Sequence, residues 1–372
     1  MDAPEPRMIG RVPVRNIWFL FLHAADLARF LGRFDAEVEA APDLPDLIAR
    51  LLCHAVAERL RRNLSRGYVD ACADLARVRG GIDLVRTETR ALLRKGQVAC
   101  HFAEHTLDTP RNRLVRAALE RLAGRLAKPA RAEACRALAS RLRAAGVGAE
   151  RPGRAELAAD RVARHEADDA LMVALARLAL DPLLPAEEAG AHALAQADRE
   201  ERLVRRLFER AIGNFYDRTL PLDAGWRVSP GRRLDWQVSA ASPGIAALLP
   251  GMVTDILIEN VPLGRRIIVD TKFTGALGRS RWGAPTLKSP HLYQLHTYLT
   301  SQERAADPLS LTSAGLLLYP VIDRPVDEEV TLGRHALRFA TVDLSASNDA
   351  IAARLSGLIL GAVTSPPSAG AG

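Results

Sequence analysis

The chain has 372 residues, 48% of them hydrophobic and 26% charged, enough apolar mass for a sizeable core spread over two or three domains and too much for a disordered or fibrous protein. Lys and Arg outnumber Asp and Glu by 51 to 44, a balance that favours a polyanionic partner, although an Arg-rich composition alone produces the same surface. Cys53, Cys72, Cys100 and Cys135 stand singly with no CxxC pair, which argues against a zinc site or a disulfide framework and fits a reducing cytoplasm.

The opening MDAPEPRMIG carries acidic residues and prolines where a secretory leader needs a basic end and an apolar run, so no export is expected. Residues 12–41 begin with the extended-looking VPVRNIWFLF and then turn helical. His23 and Asp26 interrupt this apolar stretch, leaving it short of the roughly 18 residues a membrane span requires. An amphipathic helix is expected over residues 47–64. Between residues 67 and 104, Gly80, Gly81 and Gly96 break the chain into short runs, GIDLVRTETRALL and QVACHF among them, which read as strands joined by turns.

From residue 111 to 126, Leu114, Val115, Ala118, Leu119 and Leu122 recur at helical spacing, and Ala-rich helices continue to about residue 180. DPLLPAEEAGAHALAQAD, with its prolines and weak apolar pattern, is the expected linker. A further helix over residues 198–217 presents a wide apolar face that includes Leu203, Leu207, Phe208, Ile212 and Phe215. RRLDWQVSA, GMVTDILIEN, RRIIVDTKF and GLLLYPV then read as strands, with VPLG as a tight reversal and HLYQLHTYL as a helix before the last of them. The expected fold is mixed α+β and α/β. Residues 1–110 form a β-rich and helical module, 111–190 a helical region and linker, 191–364 a domain with a central mixed sheet flanked by helices, and 365–372 a disordered tail.

If GMVTDILIEN and RRIIVDTKF pair as antiparallel strands, the two-residue period puts Asp270 and Lys272 on one face, and the hairpin brings Asp255 beside Asp270. Two converging carboxylates beside one ammonium are costly in a partly buried site unless a divalent cation compensates. Mg²⁺ takes hard oxygen ligands, commonly one or two carboxylates with water and substrate phosphate, and Asp255, Asp270 and the carbonyl of Thr271 can supply such a set. Such an ion would activate a water and stabilise charge on a phosphodiester, with Lys272 positioning the water or neutralising the developing charge. The plainer alternative is a pair of strand-end acids bonded to Arg265 and Arg266 on a solvated hairpin.

The order helix, three strands, helix, strand, with Asp255 followed by IVDTK, resembles the PD-(D/E)XK nucleases, except that Thr254 stands where that superfamily has proline. The resemblance implies that Glu209 is the acidic residue many members carry on the preceding helix; a surface Glu paired with Arg205 or Arg206 is the alternative. Gln294 and Tyr298 resemble the Q-x-x-x-Y helix beside the active site of a subset of these enzymes, with core packing as the other reading of Tyr298. Beyond the nuclease motif, VPVRNIWFLFLHAADL, VRGGIDLVRTET and VACHFAEHTLDTPRNRLVRAALERL resemble the McrC family, the nuclease subunit of 5-methylcytosine restriction systems. Gly80, Asp108 and Asn112 lie in these phrases and equally suit a turn, a cap or a buried polar contact.

That resemblance implies a Mg²⁺-dependent endonuclease acting on double-stranded DNA that carries modified cytosine. It further implies docking, through the N-terminal module, on a McrB-like hexameric AAA+ GTPase. The chain has no GxxxxGK[ST] loop, so nucleotide hydrolysis would belong to the partner. Arg279, Arg281 and Lys288 are candidate contacts to the phosphate backbone, or simply a solvated loop. Two alternatives stay open: a non-cutting subunit of the same fold that activates the partner NTPase, and a PD-(D/E)XK nuclease of another defence or repair system.

Overall fold

A computed structural model of the chain describes residues 8–9, 12–34, 37–38, 41, 43–160, 167–182, 193–279, 283–322 and 324–361. Its contacts separate Ala40–Gln196 from a second unit made of Met1–Glu39 and Ala197–Gly372. The first 39 residues therefore do not belong with residues 40–110, as the sequence division had them. Their helix is fastened to a later one: Asn214 Nδ2 donates to the carbonyls of His23 and Ala24 at 3.0 and 3.1 Å. Of the expected linker (residues 181–198), 183–192 lie outside the described residues, as does the tail (365–372), while 193–198 are not linker but the start of the Ala193–Thr219 helix.

VPVRNIWFLF is also helical where it was expected to be extended. Only Val12–Pro13 pairs as strand, and a helix runs over Val14–Ala24. Ile17 through Leu22 are all buried, and such a continuous apolar run reads equally as a buried strand or a buried helix.

In the Ala40–Gln196 unit the helices Leu44–Arg61, Pro110–Ala123, Pro129–Ala144 and Ala167–Ala179 pack on one another. Asp43 and Thr109 cap the first two by accepting from the backbone N–H of Asp46 and Asn112. Asp169, fully buried, faces Arg59 Nε at 2.6 Å and Arg111 Nη1 at 3.6 Å, and Arg111 also binds Asp160. A three-stranded antiparallel sheet carries Gly67–Leu75, Val98–Thr106 and Gly81–Ile82 in that order. LVRTET, expected as strand, is a short helix capped by Asp83, whose carboxylate accepts from Arg86 N at 2.9 Å. Asn112 is buried and donates to the carbonyls of Ser65 and Leu107; Gly80 adopts φ +71° with no room for a Cβ beside the His101 carbonyl.

The other unit is built on a six-stranded mixed sheet in the order Asp327–Leu332, His335–Val342, Ala314–Pro320, Arg265–Thr271, Ile256–Asn260, Trp226–Pro230. Arg265–Thr271 pairs parallel with Ala314–Pro320 and antiparallel with Ile256–Asn260. Buried on both faces, these central strands read as continuous apolar runs. RRLDWQVSA contributes only Arg233–Leu234, paired with Met252–Val253 in a separate two-stranded sheet. The edge strand is Trp226–Pro230, whose closing proline and short length hid it.

Helices cover both faces. The Ala193–Thr219 helix approaches through Gly213, whose Cβ position lies 3.7 Å from Ile256 Cγ1. The Ser289–Thr300 helix lies on the opposite face, where a Cβ on Gly315 would sit 2.7 Å from Leu295 Cδ2 and 2.9 Å from its Cγ. No helix among the described residues is long and apolar enough to cross a membrane. Gly315→Ala should lift the Ser289–Thr300 helix off the sheet and cost about 1–3 kcal/mol, the usual penalty of overpacking, read as a lower midpoint in urea unfolding.

Candidate active site

The polar cluster forms where the central strands end. Asp255 directly precedes Ile256–Asn260, and the antiparallel register that pairs Val269 with Ile256 sets it opposite Asp270. Its backbone is pinned by Gly231, whose N–H donates to the Asp255 carbonyl at 2.8 Å, while the preceding Thr254 is buried and donates from its N–H to Arg232 O at 2.9 Å. Asp255 Oδ2 accepts two hydrogen bonds from Thr271, from its N–H at 2.7 Å and its hydroxyl at 2.8 Å. Thr271 thus orients the first carboxylate through groups the sequence reading did not use; its carbonyl was the expected contribution.

Lys272 continues the parallel ladder one residue past the strand, its N–H donating to Leu318 O at 2.9 Å. Its ammonium donates to Gln294 Oε1 at 2.9 Å, and Gln294 Nε2 donates to Tyr298 Oη at 2.7 Å. The Ser289–Thr300 helix therefore holds the lysine head through an i, i+4 pair. Tyr298 is buried and belongs to the core cluster as well, so it packs in the core while its hydroxyl meets Gln294.

Asp270 is 1% exposed. Its Oδ2 lies 2.8 Å from Lys272 Nζ as an ion pair without hydrogen-bond geometry, and Oδ1 has no polar partner. Burial, reinforced by the charge of Asp255, pushes its carboxyl up to about 6 against the pull of Lys272. Glu209, half-buried on the Ala193–Thr219 helix, is likewise held above the usual carboxylate range, first by burial and then by Asp255. Three acids thus share one neighbourhood with one close ammonium. Arg265 and Arg266 do not relieve them: Arg265 donates to Ile359 O, and Arg266 binds Glu259 and Asp307 at 2.7 and 2.6 Å. Arg205 pairs with Glu201 at 3.7 Å.

Two neighbours escaped the sequence reading. His291 Nδ1 lies 3.1 Å from Tyr319 Oη; burial, then the cations Lys272, Lys288 and Arg205, depress the imidazole. Burial and the nearby Asp270 hold the Tyr319 hydroxyl protonated. Spacing could have flagged both, since His291 stands three residues before Gln294 and Tyr319 two after Leu317, the register partner of Asp270. Lys288 donates to Thr274 Oγ1 at 2.8 Å on the rim. Arg279 is exposed at the end of the Leu277–Arg279 strand, and Arg281 lies outside the described residues.

Among the described residues no group of three or more His, Cys, Asp and Glu forms a metal-binding cage. The facing carboxylates of Asp255 and Asp270 make the sparse hard-oxygen set that suits Mg²⁺, which keeps waters and shares substrate oxygens. The unpartnered oxygen of buried Asp270 fits such an ion.

Because folding raises the Asp270 carboxyl from 3.8 to about 6, its contribution to stability is fully present below pH 3.8, is lost as pH rises through 6, and leaves a cost at neutral pH. Asp270→Asn should therefore raise stability by about 2–3 kcal/mol at pH 8 in EDTA, with the gain vanishing below about pH 4. Urea unfolding at the two pH values measures it.

Residues 11–320 match the model of a family described as the McrBC 5-methylcytosine restriction system component. The type IV methyl-directed restriction enzyme EcoKMcrBC of Escherichia coli strain K12 is 24% identical over 335 residues, spanning 90% of this chain and 93% of that relative. In overall fold the chain is similar to a chain of the half-complex of Thermococcus gammatolerans McrB AAA+ hexamers with bound McrC, with a TM-score of 0.51, 15% identity, and coverage of 93% of this chain and 76% of that one. The family match runs through both the helical unit and the strands that carry Asp255, Asp270 and Lys272, and by it this chain belongs to the McrBC 5-methylcytosine restriction system component family.

Proposed function

We propose that this chain is the DNA-cutting subunit of a modification-dependent restriction system, a PD-(D/E)XK endonuclease that hydrolyses phosphodiesters with Mg²⁺ in the cytoplasm. The observation that carries the proposal is buried Asp270, with one oxygen unpartnered, set opposite Asp255 and beside Lys272 at the end of the sheet. A buried acid with this deficit is a liability to the fold, and a bound divalent cation would remove it.

Asp255, Asp270 and the carbonyl of Thr271 would hold the ion. Bound there, Mg²⁺ would ease ionisation of a water and stabilise negative charge on the scissile phosphate. Thr271 fixes the Asp255 carboxylate with two donated hydrogen bonds. Lys272, steadied by Gln294, presents its ammonium to charge developing on the phosphate. Reversing the Gln294 amide would set its NH2 against the lysine ammonium, which can only donate, so the bond to Gln294 positions the lysine head before substrate arrives. Glu209 adds a third acid from the opposite helix, within electrostatic reach of Asp255. The positive field of Lys272, Lys288 and Arg205 around His291 suits an approaching phosphate backbone.

The partner follows from the relatives. The neighbouring fold was observed in an assembly of AAA+ hexamers with bound McrC, and this sequence has no phosphate-binding loop of its own. A McrB-like AAA+ GTPase would select and deliver double-stranded DNA carrying modified cytosine, and this chain would cut it.

With methylated plasmid, Mg²⁺ and the cognate GTPase, Asp270→Ala and Lys272→Ala should each lower the cleavage rate by about 100-fold or more while GTPase stimulation persists. Undiminished cutting in both variants would remove the nuclease assignment, and unchanged cutting in excess EDTA would remove the metal. Gln294→Ala should cost about tenfold by loosening Lys272, measured in the same assay.

A further inference from the structure

Three side chains on the small sheet of the Ala40–Gln196 unit form a chain that the nuclease reading does not use. Cys72, on Gly67–Leu75, and His101, on Val98–Thr106, are direct cross-strand partners. Cys72 Sγ lies 2.7 Å from His101 Nδ1, and His101 Nε2 lies 3.1 Å from Asp83 Oδ2. Asp83 is itself fixed as the cap of the Leu84–Thr89 helix. A carboxylate accepts only an N–H, so the proton of the neutral imidazole belongs on Nε2 and the Nδ1 lone pair faces the thiol. Nucleophile, base and orienting acid stand in the order that activates a cysteine.

The arrangement is accessible. Cys72 is exposed, and the His101 side chain is 55% exposed. Cys53, Cys100 and Cys135 are buried, the first and last facing each other at 3.5 Å. Of the charges near Cys72, Asp70 and Asp74 share its face of the strand by the two-residue period, and Asp74 is held by Arg86 at 3.0 Å and Arg90 at 3.4 Å.

We propose that Cys72, His101 and Asp83 form an activated-thiol site that is modified by the disulfides of small thiols. In the step, the Sγ proton passes to His101 Nδ1 and the thiolate attacks one sulfur of the disulfide. The reagent's S–S bond breaks as a new one forms on Cys72, and the departing thiolate takes the proton back from His101. Cys72 and His101 are exposed to such a reagent, and the buried thiols are shielded from it.

The test treats the full chain with oxidised glutathione and follows adduct formation by intact mass and peptide mapping. Wild type is expected to gain one adduct, on Cys72, about tenfold or more faster at pH 7 than His101→Gln, because an unassisted thiol is only a few per cent thiolate there. Equal rates in the two proteins, or an adduct on another cysteine, would overturn the proposal. Should His101→Gln fail to fold, the wild-type rate against pH decides. A rate nearly flat from about pH 6 to 8 supports an assisted thiolate, whereas one climbing about tenfold per unit is that of an ordinary thiol and overturns it.

Discussion

Asp270 is the constraint from which the site-bearing unit takes its meaning. The same protein contains a second fully buried acid, Asp169, and the contrast is instructive: Asp169 is met by two guanidinium groups, whereas Asp270 has one ammonium and a rival carboxylate. Burial of charge is tolerable when it is matched and destabilising when it is not. At Asp270 the deficit sits where the central strands of a six-stranded sheet end.

Rigidity around that deficit comes from packing. Gly315 lets the Ser289–Thr300 helix approach the sheet closely enough for Leu295 and Leu299 to lie against its backbone. That closeness keeps Gln294 within reach of Lys272. The opposite helix carries Glu209 on the same body that packs Phe208 and Ile212 into the core. Each polar group of the site is therefore anchored by an apolar neighbour on its own element, the condition for holding charges in a fixed geometry without solvent reorganisation.

Legibility in the sequence followed physical distinctiveness. Asp255, Asp270 and Lys272 were readable because a two-residue period and a short turn leave few ways to arrange a hairpin. Gln294 and Tyr298 were readable from helical spacing and family likeness. Thr271 as the clamp on Asp255 was not, since a hydroxyl and a backbone N–H leave no pattern in the text. His291 and Tyr319 each carried a spacing signal, to Gln294 and to Leu317, but their contact joins a helix to a strand and leaves no pattern of its own. The helix over Val14–Ala24 was hidden because its centre, Ile17 to Leu22, is a continuous apolar run that suits a buried strand as well as a helix. LVRTET misled for the opposite reason: its Leu84 and Val85 are exposed, so its apolar residues mark no core.

The interrupted make-up of the site-bearing unit has a consequence for synthesis. Its first piece, Met1–Glu39, is translated ahead of the whole of Ala40–Gln196, and its partners in Ala197–Gly372 follow only afterwards. At cellular elongation speeds the helix ending in Ala24 waits on the order of ten seconds for Asn214 to emerge. During that interval an apolar helix with no mate is on the nascent chain, while the intervening unit has all its own sequence and is free to fold. Maturation of the site-bearing unit is thus postponed until the last third of the polypeptide leaves the ribosome.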